Sequence, residues 1–140
     1  MRRWTVLVVM AMQIGCESNP GVKPHFVCPK CAEPTLAITL SMELGADGDW
    51  DERSLQIIEC QAEGSEGLAT YKENRGGGGE TVRHQGKWVD SNQMKKIRES
   101  LNQCPSPQDS KCDCPAHLAA RNINVGTMPG SFFEMKLIPR

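Results

Sequence analysis

Aromatic side chains are scarce in this chain. Phe, Trp and Tyr make up 5% of its 140 residues, and there is a single tyrosine. A core with so few rings stays modest, and small domains with weak cores usually rely on a metal or a disulfide. Net charge is nearly absent as well, at −1. That excludes a global basic field for holding nucleic acid. Lys95, Lys96 and Arg98 form a local basic group, which reads as one solvated helix face. No apolar run reaches the about 20 residues that a membrane-spanning helix needs. The three histidines support no Ser/His/Asp pattern.

The chain does have seven cysteines, and their surroundings decide how they are read. The first sixteen residues are MRRWTVLVVMAMQIGC. Two arginines precede an apolar stretch from Trp4 to Met12, and Gly15-Cys16 closes it. This is the order of a secretory signal, with Cys16 in the position of a lipidated cysteine. Gln13 departs from the usual apolar or small residue. The reading predicts a signal peptide over 1–16, a linker over 17–24, and a lipoprotein anchored to a cell-envelope membrane through Cys16. A translation start at Met10 or Met12 leaves a cytoplasmic chain instead.

Residues 25–140 read as one domain. Alternating and β-branched runs predict strands over 35–44, 54–60, 67–74, 81–89 and 131–138. A helix is expected over 91–103. Asp90 caps it, Gln93 stands at capping-box spacing, and Met94, Ile97 and Leu101 form one apolar stripe before Pro105. Gly76–Gly79 reads as a flexible turn, since no Lys-Ser/Thr follows. The acidic loop 45–53 fails as a calcium loop: Glu52 stands where glycine is needed and Ile58 where the closing glutamate is needed.

Cys28-Pro29-Lys30-Cys31 places two sulfurs where one turn can aim both at a tetrahedral zinc, at about 2.3 Å each. Cys60-Gln61-Ala62-Glu63-Gly64 has the shape of a second knuckle, with glycine at the turn. Glu63 takes the fourth ligand place, where cysteine is usual. His25 is a competing fourth ligand, and His84 a more distant one. A thioredoxin-like role is disfavoured, because Pro34 and a strand follow the cysteine pair rather than a helix. Further on, Cys104, Cys112, Cys114 and His117 stand within fourteen residues. Cys-x-Cys closes on itself only with strain, so each thiol needs an outside partner, and one metal supplies that. A disulfide knot joining this loop to the ribbon is the alternative, and export favours it.

Cys28-Pro-Lys-Cys31, Leu55-Gln-Ile-Ile-Glu-Cys60, Gly67-Leu-Ala-Thr-Tyr71 with Glu73 and Arg75, Cys104-Pro-Ser-Pro, and Cys112-Asp-Cys114-Pro-Ala-His117 together resemble a zinc-ribbon family of uncharacterised bacterial proteins. The likeness covers about residues 26–117, with Glu63 replacing the fourth ribbon cysteine. It implies zinc and a small β-rich fold, and no activity. The fold expected is therefore small α+β. It combines a zinc-ribbon-like antiparallel sheet over 25–90, one amphipathic helix over 91–103, a Cys/His loop over 104–117, and a last strand over 131–138.

The expected function is a non-enzymatic zinc-binding structural or interaction module holding one or two zinc ions. It serves a protein partner that the sequence does not name. An exported disulfide-stapled envelope protein is the alternative. A nucleic-acid-binding ribbon, or a zinc hydrolase using Glu63 as base, follows behind. Neither nucleic acid nor a small-molecule substrate is favoured.

Overall fold

A computed structural model describes residues 22–140. The expected signal peptide, Cys16, Met10, Met12 and most of the linker lie outside the described residues.

Four strands run as an antiparallel meander: β1 (Leu36–Glu43), β2 (Glu52–Cys60), β3 (Glu66–Asn74) and β4 (Thr81–Trp88). Two helices follow, α1 (Ser91–Leu101) and α2 (Pro115–Asn122). The short strand β5 (Phe133–Glu134) then joins β4, so the sheet order is β1-β2-β3-β4-β5. This is a small α+β fold, with the first four strands at the expected places. The Asp90 carboxylate caps α1 by accepting from the Gln93 N–H at 3.0 Å. In the acidic loop, Asp47 accepts from the N–H groups of Asp49 and Trp50, so its carboxylate shapes the turn.

Two expectations need correction. The chain has a second α-helix, α2, where a loop was expected through 117 and no element between it and the last strand. Its first residue is Pro115 and its cap is the Cys114 sulfur, which accepts from the His117 N–H. Proline at the first helical position is well tolerated. The last strand is also far shorter than 131–138. The Met135 N–H still donates to the His84 carbonyl of β4 at 3.0 Å, and beyond it the chain turns to Phe26, with which Leu137 forms a bridge.

The sheet is buried on both faces. One face presents Met42, Leu55, Ile57 and Leu68 to Met94 and Leu101 of α1 and to Ala116 and Ala120 of α2. The other packs Leu36, Ile58, Cys60 and Ala69 beneath Phe26 and Met135. Phe26 bridges both Leu36 and Leu137, so the two ends of the domain meet beside β1. Gly86 lets Phe133 lie flat on β4, since a Cβ there would stand 2.7 Å from the ring. Fully burying a Leu or Ile stabilises by about 1.5–3 kcal/mol, and β2 buries Leu55 and Ile57 on one face and Ile58 on the other, at 1%, 0% and 0% exposure.

On the second face, register aligns Glu43, Ser54, Tyr71 and His84 in one row across four strands. The Tyr71 hydroxyl donates to Glu73 at 2.9 Å. Burial raises the Tyr71 pKa above its ordinary 10.0, and the bond to Glu73 and its charge add to this. Arg75, then Tyr71, hold the Glu73 carboxyl down at about 2. Because the folded pKa of Tyr71 is raised, its contribution to stability is full below pH 10 and fades as pH rises through the folded value. Titration by ultraviolet absorbance reports this tyrosine alone. We expect its midpoint above 10, and a drop toward 10 in Glu73→Gln; an unchanged midpoint in that variant disproves the coupling.

Candidate metal centres

The first centre forms where two turns meet. Cys28-Pro29-Lys30-Cys31 precedes β1, and Cys60 ends β2. The two turns share one geometry. The Ala32 N–H donates to the Cys28 carbonyl at 2.8 Å, with Ala32 at φ 60°. The Gly64 N–H donates to the Cys60 carbonyl at 2.7 Å, with Gly64 at φ 71°. The glycine thus stands at the left-handed position that the second knuckle requires. In each turn backbone N–H groups point at the first sulfur: those of Lys30 and Cys31 at Cys28, and those of Ala62 and Glu63 at Cys60.

This brings the sulfurs of Cys28, Cys31 and Cys60 within 4.8 Å of one another. Cys31 and Cys60 are 3.7 Å apart. A tetrahedral zinc with bonds of about 2.3 Å to sulfur needs sulfurs about 3.8 Å apart. A disulfide needs about 2.05 Å, and all six described cysteines are free thiols. Burial pushes the Cys28 thiol up to about 11, against the pull of the Cys31 and Lys30 N–H groups. Burial acts the same way on Cys60. There the Thr35 hydroxyl and the N–H groups of Glu63 and Ala62 outweigh it, and the thiol is lowered.

Neither expected fourth ligand is brought to this group. Glu63 points its amide at Cys60 and has an exposed side chain, and His25 is also exposed. Among the described residues, neither belongs to the cluster within 4.8 Å. His84 is engaged elsewhere: it bonds Gln56 at 2.7 Å and stacks edge-on against Phe26 and Tyr71. The neighbour that sequence reasoning missed is Thr35. Its hydroxyl lies 3.2 Å from the Cys31 sulfur and 3.3 Å from that of Cys60. A threonine four residues after a cysteine carries no metal signature, so spacing could not reveal it.

The second centre sits on the helix-bearing face. Cys104 follows α1, Cys112 lies in the loop, and Cys114 caps α2. Their sulfurs also lie within 4.8 Å of one another, with Cys104 and Cys112 3.8 Å apart. Burial raises Cys104 to about 11, while the His117 N–H lowers Cys114. His117 is fully buried and stands outside that mutual group, approaching it through Cys104. Its Nε2 lies 2.6 Å from the Glu43 carbonyl. A carbonyl only accepts, so Nε2 carries the proton and Nδ1 presents its lone pair. That Nδ1 is 3.5 Å from the Cys104 sulfur. A shared zinc would put sulfur and nitrogen about 3.6 Å apart, given bonds of about 2.3 and 2.05 Å. An imidazole whose other nitrogen is held by a carbonyl is the usual arrangement of a metal-binding histidine.

Both groups have the donor chemistry and spacing to hold a metal ion. No family model matches this chain, and neither does any curated protein or solved structure.

The geometry ranks the ligands of the first centre. Cys60→Ser should remove about one metal equivalent, whereas Glu63→Ala should leave the stoichiometry unchanged. Glu63→Cys should tighten binding by at least about tenfold, because it supplies the missing thiol at a turn already shaped for one. Chelator competition on the three variants checks this, and equal metal loss from the first two refutes it.

Proposed function

We propose that the chain is a non-enzymatic zinc-binding module of zinc-ribbon type. One zinc is held by Cys28, Cys31 and Cys60. A second is held by Cys104, Cys112, Cys114 and His117. The observation that carries this reading is the pair of three-thiol groups, each within 4.8 Å, in which Cys31–Cys60 and Cys104–Cys112 stand 3.7 and 3.8 Å apart, a separation that suits a shared tetrahedral ion and not a disulfide. Thiolate and imidazole donors in that geometry suit zinc.

What each metal would hold together supports a structural role. The first centre ties the segment before β1 to the turn between β2 and β3. The second ties the end of α1 to the start of α2. Binding free energy at such sites is folding free energy. Three thiolates also leave a zinc ion weakly electrophilic, which argues against hydrolysis. The Arg-Arg and apolar start ending at Cys16 supports a lipid-anchored position at the cell envelope, from which the domain would meet a protein partner.

The test is mass spectrometry under native and denaturing conditions. We expect about two zinc equivalents per chain, and alkylation of all six cysteines from Cys28 to Cys114 after denaturation with chelator. Chelator alone should lower the melting temperature. A metal-free protein whose cysteines resist alkylation until reduced would establish the disulfide-stapled alternative.

A further inference from the structure

The helix-bearing face of the sheet carries a feature separate from the cysteines. Arg53 of β2, Lys72 of β3 and Arg83 of β4 stand in one row, since register pairs Arg53 with Lys72 and Lys72 with Arg83. Like charges directly opposite one another destabilise a sheet. Arg121, from the last turn of α2, lines the same cavity, which has a volume of about 470 Å³. Among the described residues, no Asp or Glu lines it. Asp47 pairs with Arg53 at 3.3 Å. Among the described residues, Lys72, Arg83 and Arg121 pair with no carboxylate.

The row is organised rather than merely tolerated. The Lys72 ammonium and the Arg83 guanidinium both lie over the Trp50 ring, at 5.9 and 5.5 Å from its centroid. That ring attracts both cations and restricts where their heads can sit. Arg121 donates to the Ser110 carbonyl at 2.6 Å, which fixes its direction. Thr70, Asn122 and Asn124 add neutral hydrogen-bonding groups, and Phe132, a residue 41% exposed, lines the cavity. Net charge is blind to this grouping, because acids elsewhere in the chain cancel it.

We propose that this cavity binds a small organic phosphate of about mononucleotide size. Lys72, Arg83 and Arg121 line the cavity without a carboxylate partner among the described residues, beside an Arg53 that Asp47 partly neutralises; such cations complement a phosphate dianion, and arginine forks match its oxygens. The volume falls within the range of about 300–1,000 Å³ that small-molecule sites occupy. The Phe132 ring, which carries the Lys87 ammonium 4.5 Å from its centroid, offers its remaining surface for the organic part.

The test uses the zinc-loaded full chain at low salt with three probes: AMP, inorganic phosphate and adenosine. Amide NMR should show saturable shifts at Thr70, Lys72, Arg83 and Asn122 with AMP. Inorganic phosphate should act more weakly at the same residues, and adenosine should leave them unmoved. Lys72→Gln and Arg83→Gln should each weaken AMP binding at least about tenfold. The same variants should melt at the same temperature or higher, because each removes a like-charged neighbour; misfolding would lower it. Failure of both AMP and phosphate to saturate the site overturns the proposal, as does unchanged affinity in the two variants. Binding that strengthens with the length of a single-stranded oligonucleotide, or that requires phosphatidic acid vesicles, overturns the small-ligand assignment.

Discussion

The register of β2 constrains everything else. Five consecutive residues of that strand, Ser54 to Ile58, are buried, so neither of its faces is free to slip toward solvent. Arg53, Leu55 and Ile57 point one way; Ser54, Gln56, Ile58 and Cys60 point the other. A shift of one residue would exchange the two sets. It would carry Cys60 away from Cys28 and Cys31, drive Gln56 into the helix-packed core, and dissolve the row of Arg53, Lys72 and Arg83. The apolar burial of Leu55, Ile57 and Ile58 therefore does more than stabilise. It places a sulfur on one face and a cation on the other.

The second thiol group also handles an edge. β1 is an outer strand, and an exposed edge is a template for pairing with another chain. Here the loop that carries the cysteines lies along it. The Glu43 N–H donates to the Pro107 carbonyl at 2.8 Å, and the Gln108 amide donates to the Ser41 carbonyl at 2.9 Å. His117 takes the Glu43 carbonyl. The bond that sets the histidine tautomer is thus the bond that closes the edge. Loosening the thiol group would free His117 and expose β1 together.

Most of the sheet was legible in the sequence because strand signals are local. Leu55-Gln-Ile-Ile and Gly67-Leu-Ala-Thr-Tyr71 read as strands without knowledge of their partners. The α1 cap was legible for the same reason, since Asp90 reaches only to Gln93. α2 was not, because it is eight residues long, opens with proline and is capped by a thiol. The cysteine groups could be drawn from spacing, with His117 beside the second, but a fourth partner for the first could not. Glu63 occupies the expected place in the turn, yet what it gives Cys60 is its backbone N–H. The basic row was invisible, because residues 53, 72, 83 and 121 meet only through register and helix packing.

The two knuckles explain why a glutamate can stand where a thiol is expected without disturbing the turn. In both, the shape comes from amides aimed at the first sulfur and from a fifth residue in the left-handed region. Gly64 adopts that conformation freely. Ala32 does not, since a left-handed backbone costs an L-residue about 1–2 kcal/mol. It is held there by its bond to the Cys28 carbonyl and by the Cys28 N–H bond to the Glu33 carbonyl, both 2.8 Å. Strain of this kind persists where surrounding bonds enforce it, and such sites tend to be functional. The Thr35 carbonyl then accepts from the Gln61 N–H at 2.8 Å, tying one knuckle to the other. The backbone thus fixes the three sulfurs without help from position 63, and the Thr35 hydroxyl stands beside two of them.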